Sequence, residues 1–251
     1  MTSVVTLPRG RSDVGATIDP VMDSLAVTDR VYFHLKWTEP LVAELVRRAV
    51  AVKGAGKLLL ICPNETLARV LIKLGYDADI WQVPHAIFSP QLREQAVKSA
   101  ALDELLAAPA PVGGYDLIVM PFVLEAAGED PTAVLSTLAN CLKQDGVLLV
   151  AVRLPRPGRK VLQPALASLS WPLLPATRTV TVPEIFSASR QAGLKVTRGN
   201  HVISRTATIS SQPMALAEWL RAVAVHQAKR LFPGWRDCYV ATLTGAATRI
   251  P

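Results

Sequence analysis

The stretch YDLIVMPFVLEAAGEDPTAVLSTLANCLKQDGVLLVAV, residues 115–152, decides the fold of this 251-residue chain. It contains two apolar runs, Leu117–Met120 and Val147–Val152, which have the length and composition of buried strands. Residues from 130 or 131 to about 142 are typical of a helix, and Gln144–Gly146 predicts the turn before the second strand. Strand, helix and strand in this order, with strands that lack polar alternation, indicate a parallel sheet covered on both faces.

Upstream of this stretch the same alternation recurs. KLLLIC, Lys57–Cys62, predicts a buried strand, and a helix follows that begins at Asn64 or Glu65 and ends at Gly75. DADIWQV, Asp77–Val83, predicts the next strand. A helix that begins after Thr38 precedes this unit, and residues 90–110 favour a helix with a short third strand inside it, around 97–102.

Downstream, residues 153–179 are rich in proline and predict a long loop. Thr181 and Glu184 form a predicted capping box for a helix that ends at Gly193, and LKVTRGNHVI supplies a strand. A last helix over 213–231 precedes CYVATLTG, residues 238–245, which we expect to close the sheet as an edge strand. Ligands of open parallel sheets lie beyond the carboxyl ends of the strands, near residues 62–66, 82–84 and 120–125 here.

Composition limits the classes of function. With 50% hydrophobic and 19% charged residues, the chain predicts one folded domain over 38–251 behind an N-terminal arm, 1–37. The net charge of +7 favours acidic partners, but the basic residues form no run of five, so nucleic acid is not favoured. The mean hydropathy of +0.29 indicates that a protein partner, a second copy or a membrane face covers apolar surface.

The cysteines and the termini indicate the compartment. Cys62, Cys141 and Cys238 are odd in number and lack the spacing of a zinc site, so we expect a reducing, cytoplasmic location and no metal. The N-terminus has no signal-peptide pattern, and the longest uncharged run, residues 161–176, contains three prolines and does not predict a membrane span.

The stretch at residues 115–152 resembles the central signature of class I S-adenosylmethionine-dependent methyltransferases of the small-molecule type. In that family a Tyr/Phe-Asp pair opens the fourth strand, a VLEH-like segment follows, and an LK-x-G-G-x-L turn precedes the fifth strand. The matching positions here are Asp116, Leu124, Glu125, Pro131, Leu142, Lys143 and Gly146. The resemblance covers roughly residues 40–245. It implies a three-layer, doubly wound α/β fold, Rossmann-like and mostly parallel, with an antiparallel C-terminal strand.

The resemblance fails at the cofactor loop. The family usually has an acidic residue in its first strand and then Gly-x-Gly-x-Gly, whereas Leu59 holds the acidic position here and three other residues replace the glycines. The replacements are Ile61, Pro63 and Glu65. Gln82 stands where an acidic residue grips the ribose, and it offers one hydrogen bond where a carboxylate accepts a pair. Ala126 replaces the customary His.

The resemblance places a candidate cofactor site on residues at the ends of three predicted strands and on the third helix. They are Cys62, Pro63, Asn64, Glu65, Gln82, Val83, Asp103, Pro121 and Phe122. For several of them a structural role competes with a role in binding. A lowered thiol pKa at a helix N-terminus and a buried inert thiol are both open for Cys62, and helix surface is open for Asp103. No catalytic triad, phosphate loop or paired carboxylates stand out, so catalytic residues are not assigned.

Two functions are consistent with this pattern. The first is a methyltransferase that binds S-adenosylmethionine through a remodelled loop and acts on a small-molecule or lipid-linked substrate. A variant of it is a peripheral membrane enzyme whose proline-rich loop contacts the membrane that carries a lipid-linked substrate. The second is a non-catalytic methyltransferase-like protein that serves as a binding or assembly subunit, alone or as a homo-oligomer. The lost glycines, the high hydropathy and the basic charge motivate the second hypothesis.

Overall fold

The computed structural model describes residues 40–52, 56–83, 97–107, 114–127, 130–154, 178–202, 224 and 238–245. The helices are α1 (Pro40–Val52), α2 (Glu65–Lys73), α3 (Leu102–Ala107), α4 (Pro131–Cys141) and α5 (Val182–Gln191). The strands are β1 (Lys57–Ile61), β2 (Asp77–Gln82), β3 (Val97–Ser99), β4 (Tyr115–Pro121), β5 (Leu142–Arg153), β6 (Leu194–Val202) and β7 (Cys238–Gly245).

The seven strands form one sheet in the order β3-β2-β1-β4-β5-β7-β6. The pairs from β3 through β5 are all parallel, and β7 is antiparallel to both β5 and β6. Because β1 lies between β2 and β4, the carboxyl ends of the strands in the two β-α-β halves meet side by side. The edge of the sheet that these strand ends form is where a ligand is expected. The predicted doubly wound, mostly parallel sheet with an antiparallel C-terminal strand is confirmed.

Successive residues of each central strand point to opposite faces, and each face has its own core. Leu58 and Leu60 of β1 pack with the apolar sides of α1 and α2 on one face. Leu59 and Ile61 pack on the other face with residues of α4 and α5. The helices therefore form a layer on either side of the sheet, and the uninterrupted apolar runs in the sequence follow from burial on both faces.

The helix ends agree closely with the sequence prediction. Asn64 caps α2 by accepting a bond from the Leu67 amide, and the predicted capping box of α5 is complete between Thr181 and Glu184. Hydrogen bonds from Thr181 and the nearby Arg178 guanidinium hold the pKa of Glu184 below its usual value. Gly193 has a positive φ of 71° directly after α5, where a side chain would be strained.

Two predictions about the sheet were wrong. Residues 238–245 form an interior strand, since β7 lies between β5 and β6, and β6 is the outermost of the described strands on that side. The continuous apolar start of β7 suits an interior position, whereas β6 is mostly exposed. Gln144–Gly146, predicted as a turn, belongs to β5, and the extra residues are absorbed by a shift of the β4–β5 register between Tyr115 and Leu117.

A buried ion pair fastens α1 to the antiparallel end of the sheet. The Arg48 side chain is 2% exposed, and its Nε donates to Glu44 Oε1 at 2.8 Å. Its Nη1 donates to Thr242 Oγ1 at 2.9 Å and to the Arg198 carbonyl oxygen at 3.3 Å. Burial lowers the pKa of Arg48, and the Glu44 carboxylate opposes that shift. The helix that precedes β1 is thus tied to both β6 and β7.

Several predictions lie outside the described residues. These are the N-terminal arm with the Thr38 cap, the interior of the proline-rich loop at 155–177, and nearly all of the helix predicted over 213–231. Within the described part of the chain, no helix is long and apolar enough to cross a bilayer.

Candidate functional site

The turn after β1 is built from buried residues. Cys62 has a left-handed backbone with φ of 49°, and its amide donates to the Trp81 carbonyl oxygen at 2.7 Å. Pro63 follows without an amide proton, and the side chain of Asn64 accepts the Leu67 amide at 2.8 Å. Cys62, Pro63 and Asn64 are all buried, so the turn that should receive a ligand is enclosed by its own chain.

Gln82, at the end of β2, is bonded at both ends of its side-chain amide. Its Nε2 donates to the Pro63 carbonyl oxygen at 3.1 Å, and its Oε1 accepts the Val83 amide at 3.1 Å. The residue is 2% exposed. The position that resembles a ribose-binding carboxylate therefore carries a neutral group that joins the end of β2 to the turn after β1.

Cys62 is 1% exposed, in line with a structural role. Burial raises the pKa of this thiol to about 12, although the Val83 backbone opposes the shift. A thiol with so high a pKa is protonated at neutral pH and is a poor nucleophile. Of the two roles open for Cys62, the structure supports the buried inert thiol.

The end of β4 carries a second left-handed residue. Phe122 has φ of 61°, and its amide donates to the Ala151 carbonyl oxygen of β5 at 2.7 Å. The Arg153 guanidinium lies 4.6 Å from the centre of the Phe122 ring, within the range of a cation–π contact. Because β1 and β4 are neighbours, Cys62 and Phe122 place two such residues at adjacent strand ends.

Glu125 links three segments beyond the same edge. Its carboxylate accepts the Arg153 amide, where β5 ends, and its carbonyl oxygen accepts the Arg178 amide at 3.3 Å, shortly before α5. The residue is 3% exposed. Burial raises the pKa of Glu125 to about 7, and hydrogen bonds to its carboxylate and the Arg153 charge moderate the shift. The site therefore contains one carboxyl group that titrates near neutral pH.

The predicted site residues separate into two groups. The residues that end β1, β2 and β4 all lie at one edge of the sheet, as predicted: Cys62, Pro63, Asn64, Gln82, Val83, Pro121 and Phe122. Asp103 is exposed on α3, and Glu65 lies in the first turn of α2 with its carboxylate 4.0 Å from Arg69 Nη1. Among the described side chains no cluster could hold a metal ion.

Sequence reasoning placed Arg153 at the start of the proline-rich loop and missed its contact with Phe122. A signal was present. Arg153 directly follows the apolar run of β5, and parallel pairing brings the ends of β4 and β5 together. A charged residue at that point therefore belongs to the edge of the sheet where Phe122 also lies.

The Tyr-Asp pair of the family-like signature lies at the opposite edge. Asp116 Oδ2 accepts the Lys57 amide at 2.9 Å and Lys143 Nζ at 2.7 Å, which joins β4 to β1 and β5. Tyr115 Oη donates to Asp79 Oδ2 at 2.8 Å, and burial, with that bond, raises the pKa of Tyr115. These residues fix strand register at the amino ends and do not take part in the site.

No protein-family model and no curated protein matches the chain in sequence. Solved structures do match it. An S-adenosylmethionine-dependent methyltransferase of Archaeoglobus fulgidus superposes with a TM-score of 0.52 at 13% identity, over 85% of this chain and 98% of that one. A Haloferax volcanii methyltransferase, solved with the Trm112 methyltransferase activator, gives 0.53 at 13% identity over 95% and 99%.

A third match is the SpnF cyclase, with a TM-score of 0.50 at 17% identity over 95% of this chain and 85% of that one. At these identities the likeness concerns the backbone alone. The strand order, the antiparallel seventh strand and these superpositions agree: the chain has the fold of the class I S-adenosylmethionine-dependent methyltransferases.

Proposed function

We propose that this chain is a methyltransferase-fold protein that does not hold S-adenosylmethionine in the usual geometry and acts as a non-catalytic binding or assembly subunit. The observation that carries the proposal is the hydrogen-bonded position of Gln82. Its donor and its acceptor are engaged by Pro63 and Val83, and it is buried. A ribose would have to break these bonds and would find no carboxylate in their place.

The turn after β1 supports the same proposal. Binding of the methionine carboxylate relies on backbone amides that glycine brings close to the ligand. Pro63 has no amide proton, and Asn64 already caps the Leu67 amide at the helix N-terminus. Glu65 adds a negative charge to the first turn of α2, where it would repel an incoming carboxylate.

A protein partner is consistent with the structural neighbours. The Haloferax volcanii match was solved as a complex with an activator protein, so one neighbour of this fold works within an assembly. The SpnF match is a cyclase, so the fold alone does not require methyl transfer. We propose that the present chain likewise works in a complex with a protein partner.

A second function is favoured by one observation. Cys62 and Phe122 adopt left-handed backbone conformations at adjacent strand ends, and strained residues of this kind cluster at ligand sites. They would suit a methyltransferase with a remodelled loop, acting on a small-molecule or lipid-linked substrate, in which Glu125 would accept a proton. This alternative requires S-adenosylmethionine to bind.

Titration calorimetry with S-adenosylmethionine and S-adenosylhomocysteine, up to about 1 mM, separates the two functions. We expect no saturable heat and no rise in Tm, because the cradle is closed. Saturable binding of either compound, followed by transfer of a labelled methyl group to any component of a lysate, would overturn the first function and establish the second. Binding without transfer would overturn the closed cradle while leaving a non-catalytic role.

A further inference from the structure

The strand β6 is more exposed than β1, β2, β4, β5 and β7. Residues 197–201 are exposed one after another, and among the described residues α1 meets this part of the strand through Glu44 and Arg48 without covering it. One edge of β6 pairs with β7, and no described strand pairs with the other edge. Such an edge presents backbone amides and carbonyl groups that an extended chain can pair with.

This exposed strand is held in place from the side of β7. The hydroxyl of Tyr239 occupies the space where a Cβ on Gly199 would stand, so the ring covers the glycine in the manner that stabilises edge glycines. The His201 ring packs edge-on against Tyr239 with 5.2 Å between ring centres. The pairing register is therefore fixed where the exposure is greatest.

The strand is also held from the side of α1. The buried Arg48 donates to the Arg198 carbonyl oxygen, next to the bulge between Val196 and Arg198, and Asn200 Nδ2 lies 3.5 Å from Glu44 Oε1. Thr197 Oγ1 donates to the Thr242 carbonyl oxygen at 3.2 Å. A strand fixed in this way is preorganised, and a partner would not have to order it on binding.

The charged residues of β6 indicate the net charge of a segment that could pair with it. Lys195 and Arg198 are exposed, and the strand contains no Asp or Glu. The carboxylate of Glu44, below Asn200, is already paired with Arg47 and Arg48. Two copies of this strand would bring like charges together, which disfavours edge-to-edge self-association. An acidic strand has the complementary charge.

We propose that the outer edge of β6 binds an extended, acidic segment of a partner protein as an added strand. The inference deepens the proposed function, since it assigns a binding surface to the assembly subunit. β6 is four strand positions from β1, a separation of roughly 19 Å at the usual strand spacing. Occupation of the cofactor cradle and docking on β6 can therefore be measured separately.

The probe is a fluorescent peptide of alternating Glu and Val, titrated against the full chain and followed by anisotropy. A second peptide of the same sequence carries N-methyl groups on alternate residues, which removes the donors along one edge and keeps the charge. We expect the unmodified peptide to bind at low salt and the N-methylated one to bind at least about tenfold more weakly, because strand pairing needs those donors.

Variants then test the place of binding. Lys195→Glu with Arg198→Glu should weaken binding by about fivefold or more, since two exposed charge pairs become repulsive. The control Arg69→Glu with Lys73→Glu, at two exposed positions on α2 and remote from β6, makes the same change of net charge and should give a much smaller loss. Hydrogen exchange on the peptide complex should slow at amides within 194–202, and this readout needs no variant.

Equal affinity for the two peptides, or equal losses in the β6 and α2 variants, would show nonspecific attraction and overturn the proposal. It would also fail if a single-stranded oligonucleotide displaced the peptide and bound more tightly, or if the chain dimerised through β6. Binding of S-adenosylmethionine in calorimetry, by contrast, would contradict only the closed cradle.

Discussion

The side-chain amide nitrogen of Gln82 lies 3.1 Å from the carbonyl oxygen of Pro63, and this bond closes the end of β2 against the turn after β1. In a cofactor-binding version of the fold the two positions would face a ligand. Here they face each other. The Gln82–Pro63 hydrogen bond therefore contributes to the free energy of unfolding, and that contribution can be measured.

We expect Gln82→Glu to lower the free energy of unfolding by about 1–3 kcal/mol, because a carboxylate oxygen would replace the donor that Pro63 requires. Urea unfolding measures the change. The matched control is Gln191→Glu, an exposed position at the end of α5, which should change stability by less than about 0.5 kcal/mol. The Gln82 variant should also fail to gain S-adenosylmethionine binding. A stable variant that binds the cofactor would contradict the closed cradle.

Glu125 should make stability depend on pH. Its folded pKa of about 7 exceeds its ordinary value of 4.5, so the folded state holds more protons than the unfolded state between these limits. The free energy of unfolding should therefore fall as pH rises through this window, by at most about 3 kcal/mol. Glu125→Gln should remove this part of the slope in unfolding experiments at pH 5 and pH 8.

The control for Glu125 is Glu104→Gln, which alters an exposed carboxyl group on α3 and should leave the difference between pH 5 and pH 8 as it is. If the Glu125 variant keeps the full slope of the parent protein, the pKa of Glu125 is not raised, and the carboxyl group is not a candidate for proton transfer at neutral pH.

Ser189, on α5, is 1% exposed, and its hydroxyl has no hydrogen-bond partner among the described residues. Ser189→Ala should raise the free energy of unfolding by about 1 kcal/mol, since it removes the cost of burying an unsatisfied polar group. Ser187→Ala, exposed on the same helix, measures the gain in helix propensity alone. Equal gains at both positions would show that the Ser189 hydroxyl is satisfied.

Gly199→Ala should destabilise the protein by more than about 2 kcal/mol, because the added methyl group would meet the Tyr239 hydroxyl. The cost should shrink when Tyr239 is also replaced by Ala, and a double-mutant cycle of unfolding free energies gives the coupling. Gly193→Ala is the comparison: nothing lies within 4 Å of its added Cβ, and only the positive φ opposes it, at about 1 kcal/mol. Independent costs at Gly199 and Tyr239 would rule out the contact.

The sequence allowed most of the parallel half of the fold to be predicted. Continuous apolar runs such as Leu58–Ile61 mark strands covered on both faces, and side-chain caps such as Thr181 and Asn64 mark helix starts through local chemistry. The position of β7 was harder to predict, because strand order depends on which distant segments pair. The exposed residues of β6 are typical of an edge strand, but they do not show that its partner in the sheet is β7.

The sequence predicted which strand ends lie together, but not the contacts that their side chains make. Strand ends were enough to bring Cys62, Gln82 and Phe122 to one edge. The bond from Gln82 to Pro63 joins residues 19 positions apart, and the raised pKa of Glu125 depends on burial by several segments. Neither property belongs to a local pattern, so residue types alone could not supply it.

The bonds of Asp116 to Lys57 and Lys143 have a consequence for protein engineering. They tie β1, β4 and β5 together at their amino ends, on the side of the sheet opposite the candidate site. Residues 59–65 could therefore be exchanged for a glycine-rich sequence with an acidic partner, and the anchored strands would still define where each grafted residue stands. A glycine-rich cofactor loop can thus be introduced one residue at a time, with the affinity for S-adenosylmethionine measured after each substitution.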